Sequence, residues 1–294
     1  MKFRFALLLL LSALVLSACG AQGAPVPADP VEAVKLIADK QADIKTQHLD
    51  VTLDLGLKLD GFSSEDASTQ QAMVLFKNFK ANLTLAGDVD TTKNDLALKG
   101  AADLGPLTAF LSQGADKVEF ELVKLGDKMY VKGPDGEWNE SDVSAADTSK
   151  PDADPQISAK QLSELLKKAS KAEKLGDEKI DNVDSYHYKV TLDPMTLLTE
   201  AAKLAQTSGA AAEPIDQAQL DEAKKFLKDS VVIVEVWVGK ADLFIRQQKI
   251  VFQISITDIP DQAGAKADVD FSITAKTSKI NEPVTITAPA VTPK

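Results

Sequence analysis

The strongest constraint on the fold is a long stretch in which apolar and polar residues alternate. Leucine or valine occupies every second position from Leu49 to Leu59, and the positions between carry polar or small residues such as Asp50, Thr52 and Asp54. Side chains of a β-strand point alternately to opposite faces, so this pattern predicts a long strand with one apolar face. One solvated face is typical of an antiparallel sheet.

The alternation returns in shorter stretches on both sides of a region with helical character. Further strands are predicted at 79–85, 96–98, 118–122, 129–131, 186–192, 232–238, 244–256 and 268–277. Helices are predicted after the N-cap Asp29, from the capping box at Ser158 as far as Lys174, after Asp193, and over 215–228. This order predicts an α+β protein: a single curved antiparallel sheet with helices packed on its concave face.

The first 18 residues have the organisation of a secretion signal. Lys2 and Arg4 precede an apolar run of about a dozen residues, which is shorter than the roughly 20 needed to cross a bilayer. Residues 16–19, Leu-Ser-Ala-Cys, resemble the lipobox of bacterial lipoproteins. The resemblance implies acylation of Cys19, cleavage before it, and attachment to the extracytoplasmic face of the cell membrane. An ordinary signal peptide with a stray cysteine is the alternative.

The remaining chain is predicted to form a tether and one domain. Residues 19–28 are rich in Gly, Ala and Pro, and we expect them to be a flexible tether with no ordered role. Residues 29–290 are expected to form one monomeric domain. Loss of residues 1–18 takes the formal net charge from −11 to −13, because two basic residues and no acidic ones are removed. Such an acidic domain is not expected to bind nucleic acid.

Four segments in order along the mature chain resemble the LppX/LprG-type envelope lipoproteins. They are Lys128–Trp138 (KMYVKGPDGEW), Asp181–Val190 (DNVDSYHYKV), Val236–Gln247 (VWVGKADLFIRQ) and Asn281–Pro289 (NEPVTITAP). That family is similar in fold to the LolA and LolB lipoprotein carriers. The resemblance implies a half-barrel sheet wrapped around helices, with an apolar cavity that accepts acyl chains.

The strand pattern predicts which side chains would line such a cavity. By their position on the apolar faces of strands, the candidates are Leu53, Leu55, Leu83, Leu85, Phe120, Val190, Ile254 and Phe271. Aromatic residues make up only 5% of the chain, so the interior is mainly aliphatic. The residues alone favour a filled core in which these side chains touch the helices. The resemblance favours a cavity.

Catalysis has little support in the sequence. His48 and His187 are the only histidines, and neither is predicted to have an acidic partner that would orient it. Asp88, Asp90 and Thr92 imitate the start of a calcium loop but lack its later Gly and Glu, so a polar hairpin turn is predicted instead. We expect no enzymatic activity, no metal site and no cofactor.

The sequence therefore predicts a membrane-anchored lipoprotein that carries a lipid or acylated ligand through the cell envelope. The alternative is a surface or periplasmic module with a filled core that recognises protein or glycan partners.

Overall fold

The computed structural model describes residues 24–63, 66–108, 117–133, 136–142, 166–169, 171–196, 199, 221, 224, 227, 230–257, 262 and 264–291. Helix α1 spans Pro30–Lys40 and α2 spans Ala67–Phe76, with short 3-10 turns at Gln41–Asp43 and Gly105–Leu107. The strands are β1 (Thr46–Asp60), β2 (Asn78–Asp90), β3 (Asp95–Asp103), β4 (Val118–Leu125), β5 (Lys128–Lys132), β6 (Trp138–Asp142), β7 (Lys171–Ile180), β8 (Val183–Leu192), β9 (Val231–Gly239), β10 (Ile245–Ile256) and β11 (Lys266–Ser278).

All of these strands join one antiparallel sheet. Their order is β6-β5-β4-β3-β2-β1-β11-β10-β9-β8-β7, so β6 and β7 lie at the two edges and the sheet is not closed. The long alternating strand β1 lies near the centre and pairs along almost its whole length with β2 and β11. The predicted α+β class with one curved antiparallel sheet is confirmed.

The two ends of the sheet carry different connections. Tight turns follow β2, β4, β7 and β9 at the end where Thr46 pairs with Asp90 and Ser185 pairs with Gly239. Strands β1, β3, β8 and β10 end at the opposite end of the sheet, where Leu59 pairs with Ala267 and Leu192 pairs with Val232. We call these the hairpin end and the loop end.

Helix α1 lies against the β7 side of the sheet and shares a core with side chains of β8, β9 and β10. Asp29 caps the helix by accepting a hydrogen bond from the Glu32 amide at 2.9 Å, and Pro30 occupies the first turn, as predicted. The buried face of the helix packs against the apolar side chains of these strands; its members are Ala33, Val34, Ile37 and Ala38, all 0% exposed. This contact forms the largest core of the described residues.

Gln41 fastens the end of α1 to the turn between β9 and β10. The Gln41 side chain is buried; its Nε2 donates to the Leu243 carbonyl at 3.0 Å and its Oε1 accepts from the Ile245 amide at 3.0 Å. No sequence pattern pointed to this role for Gln41.

The N-terminal segment is more ordered than the sequence suggested. The Ala24 amide donates to the Lys240 carbonyl at 2.6 Å, and the side chains of Ala24 and Val26 pack against the core under α1. The expectation that residues 19–28 have no ordered role is therefore wrong for Ala24 and Val26.

Two further segments differ from the sequence expectation. Residues Lys171–Lys174, predicted as the end of a helix, begin the edge strand β7. Most β7 side chains are exposed, so the strand lacks the alternation that identifies a half-buried strand. Helix α2 was not predicted; it occupies the connection between β1 and β2.

Several predicted features lie outside the described residues. They are Cys19 with the signal segment, the capping box at Ser158, and most of the helix at 215–228. None of the helices in the described ranges is both long enough and apolar enough to span a membrane.

Candidate functional site

All eight candidate cavity residues lie on one face of the sheet. In the strand register Leu53 stands between Leu83 and Ile273, and Leu55 stands opposite Phe271. The same register carries the remaining candidates onto this face through the pairs Leu85–Gly100, Gly100–Phe120, Ile254–Val269 and Val190–Val234. We call it the apolar face and the opposite one the polar face. Ligand contact by these residues stays a prediction.

The apolar face is buried unevenly. Val190, near the β7 edge, is 0% exposed. The other seven candidates, on β1, β2, β4, β10 and β11, are only half-buried. The difference follows the core that helix α1, Leu166 and Ala169 form with β8, β9 and β10. The middle of the sheet thus retains accessible apolar surface along several neighbouring strands.

Gly100 shapes the middle of this face. A β-carbon at Gly100 would lie 2.6 Å from a carbon of the Phe120 ring and 2.8 Å from a methyl of Leu85. These distances are far below van der Waals contact, so the missing side chain lets the Phe120 ring lie across the strand backbone. No sequence pattern pointed to this role for Gly100.

Few polar side chains interrupt the apolar face. Across the five neighbouring strands β2, β1, β11, β10 and β9, the paired residues on this face include no charged side chain. The polar exceptions are Gln47, Thr277 and Gln248. Uncharged aliphatic surroundings suit alkyl chains and would make the burial of a charged group costly.

A depression on the polar face is a separate feature. Its volume is about 390 Å³, and it lies over β1 to β4. Polar side chains from these strands line it, among them Asp50, Thr52, Thr84, Lys99 and Glu119. Val51, Leu85 and Gly100, which lie on the apolar face by register, also border it.

Both histidines lie on the polar face beside carboxylates. His48 Nδ1 is 2.6 Å from an oxygen of Asp88, and His187 Nδ1 is 2.9 Å from Glu178. The expectation that neither histidine has an acidic partner is therefore wrong. The partner of His187 lies on β7, close to the residues that had been predicted as helix.

Trp237 completes the group around His187. The two rings stack with their centres 4.1 Å apart, and the Trp237 indole N–H donates to Glu178 at 2.8 Å. This hydrogen bond, followed by the one from His187, lowers the pKa of Glu178. His187 Nε2 faces the carboxylate of Glu235 at 3.4 Å, so the ring nitrogen that would activate a nucleophile faces an acid instead.

Asp90, the last residue of β2, and Thr92 form a polar hairpin turn, as predicted, whereas Asp88 lies within the strand. Asp90 is buried and accepts hydrogen bonds from the amide and hydroxyl of Thr92 at 3.0 and 2.6 Å. The Thr92 hydroxyl is the main reason that the pKa of Asp90 is lowered. Among the described residues, no group of three or more His, Cys, Asp or Glu side chains is placed to hold a metal ion.

The sheet is antiparallel and unclosed, and a helix-containing core buries part of its apolar face. This is the α+β fold that the resemblance to LppX/LprG-type lipoproteins implies. Among solved structures, the chain is similar to the lipoprotein LppX of Mycobacterium tuberculosis, with 16% identity over 87% of this chain and 98% of that chain, and a TM-score of 0.40. It is also similar to LprF of Mycobacterium bovis, with 14% identity over 87% and 97% of the two chains and a TM-score of 0.42.

A third similar structure is a putative outer membrane lipoprotein-sorting protein domain from Vibrio parahaemolyticus. Its identity is 12%, over 87% of this chain and 95% of that chain, with a TM-score of 0.24. No protein-family model and no curated protein matches the sequence. Similarity at this level identifies neither a shared ligand nor a shared activity.

Proposed function

We propose that this protein is a membrane-anchored lipoprotein that binds a lipid or lipoconjugate on the apolar face of its sheet and carries it through the cell envelope. The observation that carries the proposal is the half-buried middle of the apolar face. There Leu53, Leu83 and their neighbours form continuous aliphatic rows across several strands.

Hydrocarbon is the ligand chemistry that fits these rows. Covering exposed apolar surface contributes roughly 25 cal/mol per Å², or about 0.8 kcal/mol for each buried CH₂ group. A sixteen-carbon acyl chain would therefore gain roughly 12 kcal/mol before the costs of association are subtracted. Binding of this kind requires shape and apolar surface and no reactive group.

The docked N-terminal segment sets the orientation of the domain at the membrane. Four residues separate the proposed anchor Cys19 from Ala24, and the five residue-to-residue steps span at most about 18 Å. Ala24 is hydrogen-bonded to Lys240 in the turn between β9 and β10. The hairpin end therefore lies close to the membrane, and the loop end faces away from it.

Photo-crosslinking in living cells tests the proposal. Bacteria expressing the full chain are fed a photoactivatable palmitic acid and irradiated, and the modified peptides of the purified protein are mapped by mass spectrometry. We expect adducts on β1, β2, β10 and β11, in addition to the acylated N-terminus.

Two adjacent residues on opposite faces of β1 supply a matched pair of variants. Leu53→Asp places a charge on the apolar face and should abolish the adducts on these strands. Thr52→Asp places the same charge on the polar face, beside the depression, and should leave them unchanged. Loss of adducts in Thr52→Asp alone, or adducts confined to polar-face side chains, contradicts the proposal.

A further inference from the structure

Gln248 is an unusual residue on the apolar face. In the register of β10 it stands between Val236 of β9 and Ala275 of β11, both of which are buried and apolar. The Gln248 Oε1 atom is buried and has no hydrogen-bond partner among the described residues. Buried polar atoms in folded proteins nearly always have a partner, so this oxygen is an exception that needs an explanation.

The position of Gln248 relates the unpaired oxygen to the candidate binding surface. On one side of it lies Val236, which is 0% exposed in the core under α1. On the other side, beyond Ala275, the same row continues through Val51 and Leu85, which are half-buried. Gln248 thus marks the border between the filled part of the apolar face and the part that remains accessible.

We infer that Gln248 accepts a hydrogen bond from a hydroxyl or N–H group of the bound lipid. This inference rests on the proposed function and narrows its ligand class. The amide oxygen can only accept, so the ligand must supply a donor. No charged side chain occurs among the paired residues on the apolar face of β2, β1, β11, β10 and β9, so the donor belongs to an uncharged group.

The ligand class that satisfies both conditions is a long-chain lipid with a free hydroxyl or an amide N–H beside its alkyl portion. A pure hydrocarbon or a fully esterified lipid would leave Gln248 Oε1 unpaired. A fatty acid can bind through its chain, but its carboxylate offers no donor when it is ionised. Gln248 is therefore a specificity-determining residue and not a main source of affinity.

A pair of probes that differ only in the donor tests the inference. Proteoliposomes containing the full chain receive trace amounts of a photoactivatable hexadecanol or its methyl ether. The ether retains the oxygen as an acceptor and lacks the O–H donor. After irradiation, the adducts on peptides from β1, β10 and β11 are quantified relative to the probe content of the membrane. We expect about two- to tenfold more adduct with the alcohol, which is the preference that one neutral hydrogen bond produces.

Two variants show whether the preference comes from Gln248. Gln248→Met keeps the length of the side chain and removes the amide, so it should bind alcohol and ether equally. Gln47→Leu removes the other glutamine of the apolar face, at the hairpin end, and should keep the preference. The comparison of alcohol with ether in the unchanged protein remains informative even if one of the variants does not fold.

Different results of this experiment would reject the role of Gln248 or reject lipid binding itself. Equal labelling of the unchanged protein by alcohol and ether, or a preference that persists in Gln248→Met, overturns the role of Gln248 while lipid binding stands. Absence of adducts on these strands with either probe overturns lipid binding on the apolar face, and the inference with it.

Discussion

Enlarging one side chain in each half of the apolar face should have opposite consequences for stability and for binding. Leu83 and Val234 lie in the same row across the sheet, which runs through Leu53, Ile273 and Ile250. Val234 is 1% exposed in the core under α1, whereas Leu83 is half-buried. Replacement of each by tryptophan therefore tests whether the middle of the face has free space.

The expected magnitudes follow from packing. Val234→Trp inserts a large ring where no space remains, so the free energy of unfolding should fall by about 3 kcal/mol or more, at the upper end of overpacking costs. Leu83→Trp should cost less than about 1 kcal/mol, because the ring can extend over accessible surface. If the ring displaces about four methylene groups of a bound chain, it removes about 3 kcal/mol of ligand binding, or roughly 200-fold in affinity.

Urea unfolding followed by far-ultraviolet circular dichroism measures the first quantity, and crosslinking of photoactivatable palmitic acid measures the second. Strong destabilisation by both substitutions would refute free space in the middle of the face and indicate a filled core. Full crosslinking in a stable Leu83→Trp variant would show that the lipid binds elsewhere.

Three other substitutions test the anchor, the attachment of α1 and the turn after β2. Cys19→Ala should abolish labelling of the N-terminus by an alkyne fatty acid and release the protein from the mature membrane-bound pool; persistent labelling would exclude Cys19 as the anchor. Gln41→Leu leaves the Leu243 carbonyl and the Ile245 amide without partners, so we expect a loss of about 2–4 kcal/mol in urea unfolding, and a loss below about 1 kcal/mol contradicts the role assigned to the side chain. Asp90→Asn should destabilise the protein at pH 7 and by progressively less as the pH falls below about 4, because a carboxylate with a lowered pKa stabilises the fold only while it is ionised; a deficit independent of pH contradicts this.

Much of the sheet could be predicted because its central strands are half-buried. The alternation from Leu49 to Leu59 predicted β1 and its apolar face, and the eight candidate residues share a face because the side-chain period of a strand is fixed. The order of the strands within the sheet could not be predicted from the sequence. Nothing local in the sequence places Leu53 beside both Leu83 and Ile273, which are far apart in the chain.

The features that sequence reasoning missed depend on contacts between distant elements. Strand β7 is exposed on most positions, so it has no alternation, and its lysines and glutamates resembled a solvated helix. Without β7, the carboxylate beside His187 could not be anticipated. Strand parity alone puts Gln248 on the same face as Ile254, but only the structure shows that its side-chain oxygen is buried and without a partner among the described residues.

The most direct test of the central claim is native mass spectrometry of the full chain released from membranes in detergent. The account predicts a population whose mass exceeds that of the acylated protein by one lipid, and this lipid should be recovered by solvent extraction and depleted in Leu83→Trp. An acylated protein that carries no extractable lipid, in the unchanged chain and after incubation with photoactivatable palmitic acid alike, would contradict lipid binding on the apolar face.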